Sequence, residues 1–235
     1  MAKWAIKDIE DQGHSTLTSS VFERLRNDIL EGKLPPNEKL RIEALRERYQ
    51  VGASPIREAL NRLSSLRLVE QSDQRGFRVT EVTQESLLEL ARTRCWISEI
   101  AIREAILNGD TAWEEDIALA FHRLWRHPLD LDKQGPDREW EQLHRKFHSA
   151  LIAACPSHWI RDFHEQLFDY ADRHRHLAAT MGGPRRDPTA EHREIMEAVV
   201  KRDIPRSIEL LNTHFMLTTE LASRATDSAP QHARA

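Results

Sequence analysis

The sequence predicts a mainly α-helical chain in two parts: a small helical unit closed by a β-hairpin, then an all-α bundle of six helices. Three observations predict it. Apolar residues recur at steps of three and four over most of the chain, the period of a helix with one buried face. The pattern gives way to period-two alternation only over residues 68–82, LVEQSDQRGFRVTEV, where a polar turn ends in Gly76. Clusters of Gly, Pro, Asn and Asp then cut the rest into helix-sized lengths.

Composition narrows the class. Of 235 residues 40% are apolar and 31% charged, with 8 Gly and 10 Pro, a globular profile without the apolar poverty of disorder. Aromatics at 6%, with two Tyr, argue against an all-β sandwich. No apolar run approaches the roughly 20 residues of a bilayer span, so no membrane partner is expected. The opening MAKWAIKDIEDQG lacks the apolar stretch of a secretory signal. Cys95 and Cys155 make no disulfide framework and read as reduced, buried thiols of a cytoplasmic protein. Residues 1–80 carry 14 Lys/Arg against 12 Asp/Glu and residues 81–235 carry 20 against 26, a mildly basic front and an acidic rear.

In order along the chain, residues 1–14 form a flexible arm. Leu17, Val21, Phe22, Leu25, Ile29 and Leu30 define the first helix, capped by Ser15 or Thr16 and closed by Gly32. GKLPPNEKL (32–40) is a loop, because two prolines oppose helix. A short helix spans Ile42–Tyr49, VGAS (51–54) turns, and Ser54 caps a helix that begins at Pro55 and runs to about Leu66. The hairpin follows. Helices are then expected at about 84–108, 111–126, 137–154, 157–180, 188–202 and 204–224, with a disordered tail over 225–235. Helix, helix, turn, helix, hairpin is the order of a winged helix-turn-helix, here residues 15–82, with the bundle over 83–224. Trp96, Cys95 and the stripe Trp140, Phe147, Phe163 and Phe168 are expected in the core.

GKLPPNEKLRIEAL, SPIREALNRL (54–63) and LVEQ…RGFRV (68–79) resemble the DNA-binding domain of GntR-type bacterial transcription regulators. The second part resembles the FCD ligand-binding domain of the FadR subfamily. Its six helices look like the VanR branch, and TRCWISEIAIREAI and LHRKFHSALIAACPS are similar to the CsiR-like group. The resemblance implies double-stranded operator DNA as partner and a homodimer.

A recognition helix presents base-reading side chains at its N-terminal end and cations that grip phosphate. Ser54 and Pro55 stand at that tip. Arg57, in the R-E-A-L position where the family places its DNA-reading arginine, can engage guanine bidentately or clamp a phosphate. Arg62 lies lower on the helix, Arg75 and Arg78 flank Gly76 on the wing, and Arg41 opens the second helix, all candidate DNA contacts. Gly52-Ala53 replaces the Ser-Arg pair of many relatives, and Glu58 reads as an internal partner.

In the bundle, His144 and His148 stand four apart on one helical face, within reach of one ion. His192 opens the fifth helix, and His214 lies on the sixth. The resemblance implies a metal site: His148, His192 and His214 match the family's three histidines, and His144 stands where the family has Asp. Three imidazoles suit Zn²⁺ or Ni²⁺, and the missing carboxylate disfavours Mn²⁺. Arg94 matches an inward-facing arginine of the first FCD helix and is the expected partner of a small carboxylate effector, a dicarboxylate by expectation. A buried salt bridge is the alternative role for Arg94.

The sequence thus reads as a ligand-responsive repressor and not an enzyme. The alternatives are a metal-dependent enzyme built on the histidines, or a DNA-binding protein with a purely structural metal.

Overall fold

The computed structural model describes residues 17–72, 76–131, 137–180 and 186–228. It divides into two compact units, Met1–Asp28 with Pro35–Thr80, and Ile29–Leu34 with Glu81–Ala235. The described residues form nine helices and three strands, the mainly α architecture expected: a winged helix-turn-helix, then a six-helix bundle.

In the first unit, α1 (Leu17–Leu30) turns Val21, Phe22 and Leu25 inward at helical spacing. The expected caps Ser15 and Thr16 lie outside the described residues, as does the arm. Helix α2 (Ile42–Tyr49) ends at Gln50, whose φ of 57° reverses the chain while its N–H bonds the Arg46 carbonyl. Helix α3 (Ala53–Ser65) then packs on α2 and buries Ile56, Ala59, Leu60 and Leu63, as α2 buries Leu45 and Tyr49. Its N-cap is Gly52, so Ser54 is not the cap and Pro55 is not the first helical residue. They occupy the second and third helical positions. All first-turn N–H groups lack an intrahelical partner, so proline is tolerated at any of them and does not fix the boundary.

The loop expected over 32–40 contains a short strand. Strand β1 (Lys39–Leu40) joins β2 (Val69–Ser72) and β3 (Gly76–Val79) in an antiparallel sheet of order β1-β3-β2, with Leu40 opposite Phe77 and Val69 opposite Val79. Two residues are too few for an alternation to be visible in the sequence; Leu40 is buried and Lys39 exposed. Gly76 enters β3 with φ +81°, a left-handed conformation natural to glycine. Arg75 lies outside the described residues.

The second unit holds the six expected helices: α4 (Gln84–Asn108), α5 (Thr111–Trp125), α6 (Arg138–Leu151), α7 (His158–Thr180), α8 (Thr189–Val200) and α9 (Ile204–Ser228). A capping box starts α4, with Thr83 Oγ1 accepting from the Ser86 N–H and Ser86 Oγ from the Thr83 N–H, each at 3.1 Å. Asp110 and Asp137 cap α5 and α6. Helix α9 continues to Ser228, four residues into the tail expected to be disordered; residues 229–235 lie outside the described set.

Helix α4 packs on α7 and α9, α5 on α6 and α8, and α8 on α9. Ile102, Ile117, Phe121, Phe147, Ile195 and Phe215 lie in their common core, each such side chain contributing about 1.5–3 kcal/mol by leaving water. Trp140 and Phe168 are buried as expected, but Trp96 is 65% and Phe163 52% exposed. The buried face of α4 runs through Ala91, Arg94, Ser98 and Ala101, and Trp96 projects from the other side. Phe163 is one residue off the buried line His164–Phe168–Asp172 of α7. Cys155 is buried and Cys95 half-buried.

Between α4 and α5, Gly109 has no room for a side chain, since a Cβ would fall within the Trp113 indole. Arg202, at φ 58°, braces this corner by donating to the carbonyls of Ile106 and Gly109 and to Glu114.

Candidate metal centre

The histidine site is built by helical periodicity. A spacing of four puts His144 and His148 on the inner face of α6, with Trp140 and Phe147 on the same buried side. Helix α8 supplies His192 and α9 supplies His214, and all four rings are at most 4% exposed. One nitrogen from each lies within 4.8 Å of the others. His144 Nε2 and His148 Nε2 are 3.1 Å apart, and the His192 and His214 rings are 4.7 Å apart between centroids.

Burial holds all four imidazoles well below the usual histidine pKa, and neighbouring cations add to the effect. All four are therefore neutral at pH 7, each with a lone pair to offer. His214 has its tautomer fixed: Nδ1 is 2.9 Å from Glu191 Oε2, an acceptor, so Nδ1 carries the proton and Nε2 is the free donor atom. Among the described residues, buried His192 Nε2 has no hydrogen-bond partner, nor does His144 Nδ1. Unsatisfied buried nitrogens are costly, and a divalent ion would satisfy the first of them. Four neutral nitrogen donors fit Zn²⁺ or Ni²⁺. The His144 ring also stacks on Trp140, 4.5 Å between centroids at 15°.

Arg94 is 7% exposed, with its guanidinium 4.1 Å from the Phe215 ring centroid and 5.4 Å from that of Phe168. Burial lowers its pKa to about 10, against an opposing pull from Asp172. No carboxylate among the described residues pairs with it within 4 Å, so the salt bridge considered for it is not formed. Ser98 is buried, and its hydroxyl has no hydrogen-bond partner among the described residues.

Beside the histidines lies a cavity of about 80 Å³, bordered by His144, His214, Glu141, Arg175, Arg186 and Thr218 among others. Arg94 lines a smaller crevice that shares Arg175, Thr218 and Ala222 with it. Two arginines at the cavity thus escaped the sequence reading. Arg175 sits on the line Phe168–Asp172–Arg175 of α7 and pairs with Glu141 and Asp172. Arg186 precedes α8, pairs with Glu191, and donates to the His214 carbonyl at 3.2 Å and Thr218 Oγ1 at 2.9 Å. A helical pattern contained the signal for Arg175; nothing local marked Arg186. His164 is buried and His174 half-buried, each with a buried Nδ1 that has no partner among the described residues; both lie outside the cluster, and burial lowers both to a pKa of about 3.

In the winged-helix unit, Arg57 and Ser54 are exposed and Pro55 half-buried on the first turns of α3, and no acidic side chain among the described residues pairs with Arg57. Arg41 is exposed at the start of α2. Arg62 lies over the Phe22 ring at 4.0 Å, and Arg78 donates to the Asn37 carbonyl and side-chain oxygen at 2.7 and 3.1 Å. Glu58 accepts from Thr18 at 3.4 Å, an internal contact as expected.

An outward-facing recognition helix and wing, carried on one chain with a bundle that gathers buried imidazoles beside a cavity, define a DNA-binding regulator with a sensing domain. Residues 17–79 match the bacterial regulatory proteins of the gntR family, and residues 89–217 match the FCD domain. The chain belongs to the GntR family of transcription regulators, in the group with an FCD domain. It is 38% identical over 206 residues to the uncharacterized HTH-type transcriptional regulator BphR of Paraburkholderia xenovorans, covering 85% of this chain and 82% of that one. It is 33% identical over 219 residues to the HTH-type transcriptional repressor GlaR of Escherichia coli, covering 89% and 98%. Its fold matches that of E. coli McbR/YncC with a TM-score of 0.71 at 20% identity, over 90% of this chain and 99% of that one. Both domains and these relatives are those of regulators, not enzymes, which removes the enzyme alternative. Among the described residues no helix is long and apolar enough to cross a membrane.

Proposed function

We propose that the protein is a homodimeric cytoplasmic repressor of the VanR branch, CsiR-like, that releases operator DNA when a small carboxylate binds at a metal in the bundle. The observation that carries this reading is the convergence of four buried, neutral imidazoles beside a cavity, with the buried Arg94, which has no carboxylate partner among the described residues, close by. His144, His148, His192 and His214 would hold Zn²⁺ or Ni²⁺, which supplies a Lewis-acidic seat for a carboxylate oxygen. Arg94 adds positive charge that, among the described residues, no carboxylate pairs with inside 4 Å, so the neighbourhood favours an anionic ligand over a neutral sugar. A dicarboxylate meets both the ion and a cation. The effector acts by its difference in affinity between the DNA-competent and DNA-released states.

Repression is supported by the E. coli relative named as a repressor. Pairing of two copies is supported by the exposed stripe Trp96, Ile100 and Leu107 on α4, and by the rule that a two-fold operator mirrors a two-fold protein. Arg41, Ser54, Pro55, Arg57, Arg62, Gly76 and Arg78, with Arg75, form the DNA-reading set.

The test is the double variant His148→Ala/His192→Ala. It should lose bound metal and all response of operator binding to added dicarboxylates, while effector-free operator binding stays within a few-fold of the parent. A double variant that still releases DNA at the parent's acid concentration overturns the metal-borne mechanism and leaves a structural metal or none.

A further inference from the structure

Resting on the reading above, we propose that Arg186 is the residue that selects an effector with a second acidic group. Arg186 borders the same cavity as His144 and His214, so a ligand with one carboxylate on the ion can present its other end to this guanidinium. Its two terminal nitrogens have unlike partners. Nη1 pairs with the Glu191 carboxylate, whereas among the described residues Nη2 donates only to neutral oxygens, the His214 carbonyl and Thr218 Oγ1. Thr218 lines the cavity too, so that hydrogen bond faces the space a ligand fills. A ligand carboxylate exchanging for the two neutral acceptors turns hydrogen bonds from a cation to neutral oxygens into an ion pair, adding the attraction of an opposite charge in a site screened from water. Glu191 need not let go.

The other cavity arginine is less available. Arg175 is engaged by both Glu141 and Asp172, so a third carboxylate there meets two anions already in place. Arg186 holds one. The geometry also places the selector one carboxylate from a residue that would hold the metal: Glu191, its partner, accepts from His214 Nδ1. An acid drawn to Arg186 therefore acts on the network that orients a metal ligand, and by linkage a diacid and the metal strengthen each other's binding.

The experiment is calorimetry on the full-length, Zn²⁺-loaded protein with unbranched dicarboxylates of three to six carbons and the monocarboxylates of the same lengths. The parent should bind its best diacid roughly 10- to 100-fold more tightly than the matching monoacid, the range of a hydrogen bond to a charged group. Arg186→Gln should bring that ratio below about 3-fold while monoacid affinity changes less than diacid affinity. Arg186→Lys, which keeps the charge, should retain a preference and serves if the Gln variant fails to fold or to hold Zn²⁺. A parent that binds both acids equally, or an Arg186→Gln variant with the parent's ratio, overturns the role of Arg186 and leaves carboxylate sensing intact. Binding of neither class of acid by the Zn²⁺-loaded parent overturns carboxylate sensing and this role with it.

Discussion

Arg57 and Arg94 are both arginines without a carboxylate partner among the described residues, and they stand for opposite uses of charge. Arg57 is exposed on α3, where water compensates it. Arg94 is enclosed between α4, α7 and α9 against two phenylalanine rings. The contrast extends to the whole of each unit. Every buried polar or charged residue among the described ones lies in the bundle, from Arg94 to Ser223, and none in the winged helix. A reader of DNA keeps its core apolar and its chemistry outside. A sensor folds its chemistry inward, at a desolvation cost that a ligand can offset.

The largest expected break between the units is their response to acid. Six bundle histidines (His144, His148, His164, His174, His192 and His214) have lowered pKa values, with His164 and His174 at about 3. Residues 17–80 contain no histidine. Below about pH 6.5 the unfolded chain takes up protons that the folded bundle refuses. Stability from these groups is therefore complete above pH 6.5 and lost progressively as pH falls towards the folded values, by up to about 1.4 kcal/mol per pH unit for each group. Chelator-treated protein followed by circular dichroism and by Arg57-region amide exchange should lose the bundle several kcal/mol ahead of the winged helix. Simultaneous loss of both units across pH 6.5 to 4 would erase the contrast.

A smaller effect is expected from Gly109→Ala, which forces a methyl group against Trp113. Overpacking of this kind costs about 1–3 kcal/mol, read as a lower denaturant midpoint for the bundle, with operator affinity in the absence of effector retained. Arg57→Ala is the mirror experiment: operator binding weakens by about 1–3 kcal/mol at fixed salt, while the denaturant midpoint moves by less than about 0.5 kcal/mol, as at other surface positions. Unchanged operator affinity would remove Arg57 from the reading set.

The fold was legible where one period ran long enough to dominate. Each bundle helix carries several turns of a repeating apolar face, and the breaks at Gly109-Asp110 and Asp203-Ile204 stand in the sequence as helix punctuation. Strand β1, two residues long, contains less than one full alternation. Trp96 and Phe163 show the opposite failure: large apolar side chains were assigned to the interior by type, although α4 and α7 already had complete buried lines beside them. In the site, His144 and His148 were legible because four residues make one helical step. His192 and His214 needed the family pattern, since no local period links α8 to α9. Arg186 had neither aid. Its partners Glu191, His214 and Thr218 are 5, 28 and 32 residues away, and only the folded chain gathers them.

The ring-on-ring packing of Trp140 against His144 gives the protein an optical probe of its own centre. An indole excited beside an imidazole loses emission when that imidazole is protonated, or when it binds an ion with an open d shell. Ni²⁺ has such a shell and Zn²⁺ does not. Among the described tryptophans Trp140 is the one stacked on a candidate ligand, so occupancy by either ion can be followed without a label, and the two ions told apart by whether the emission dims.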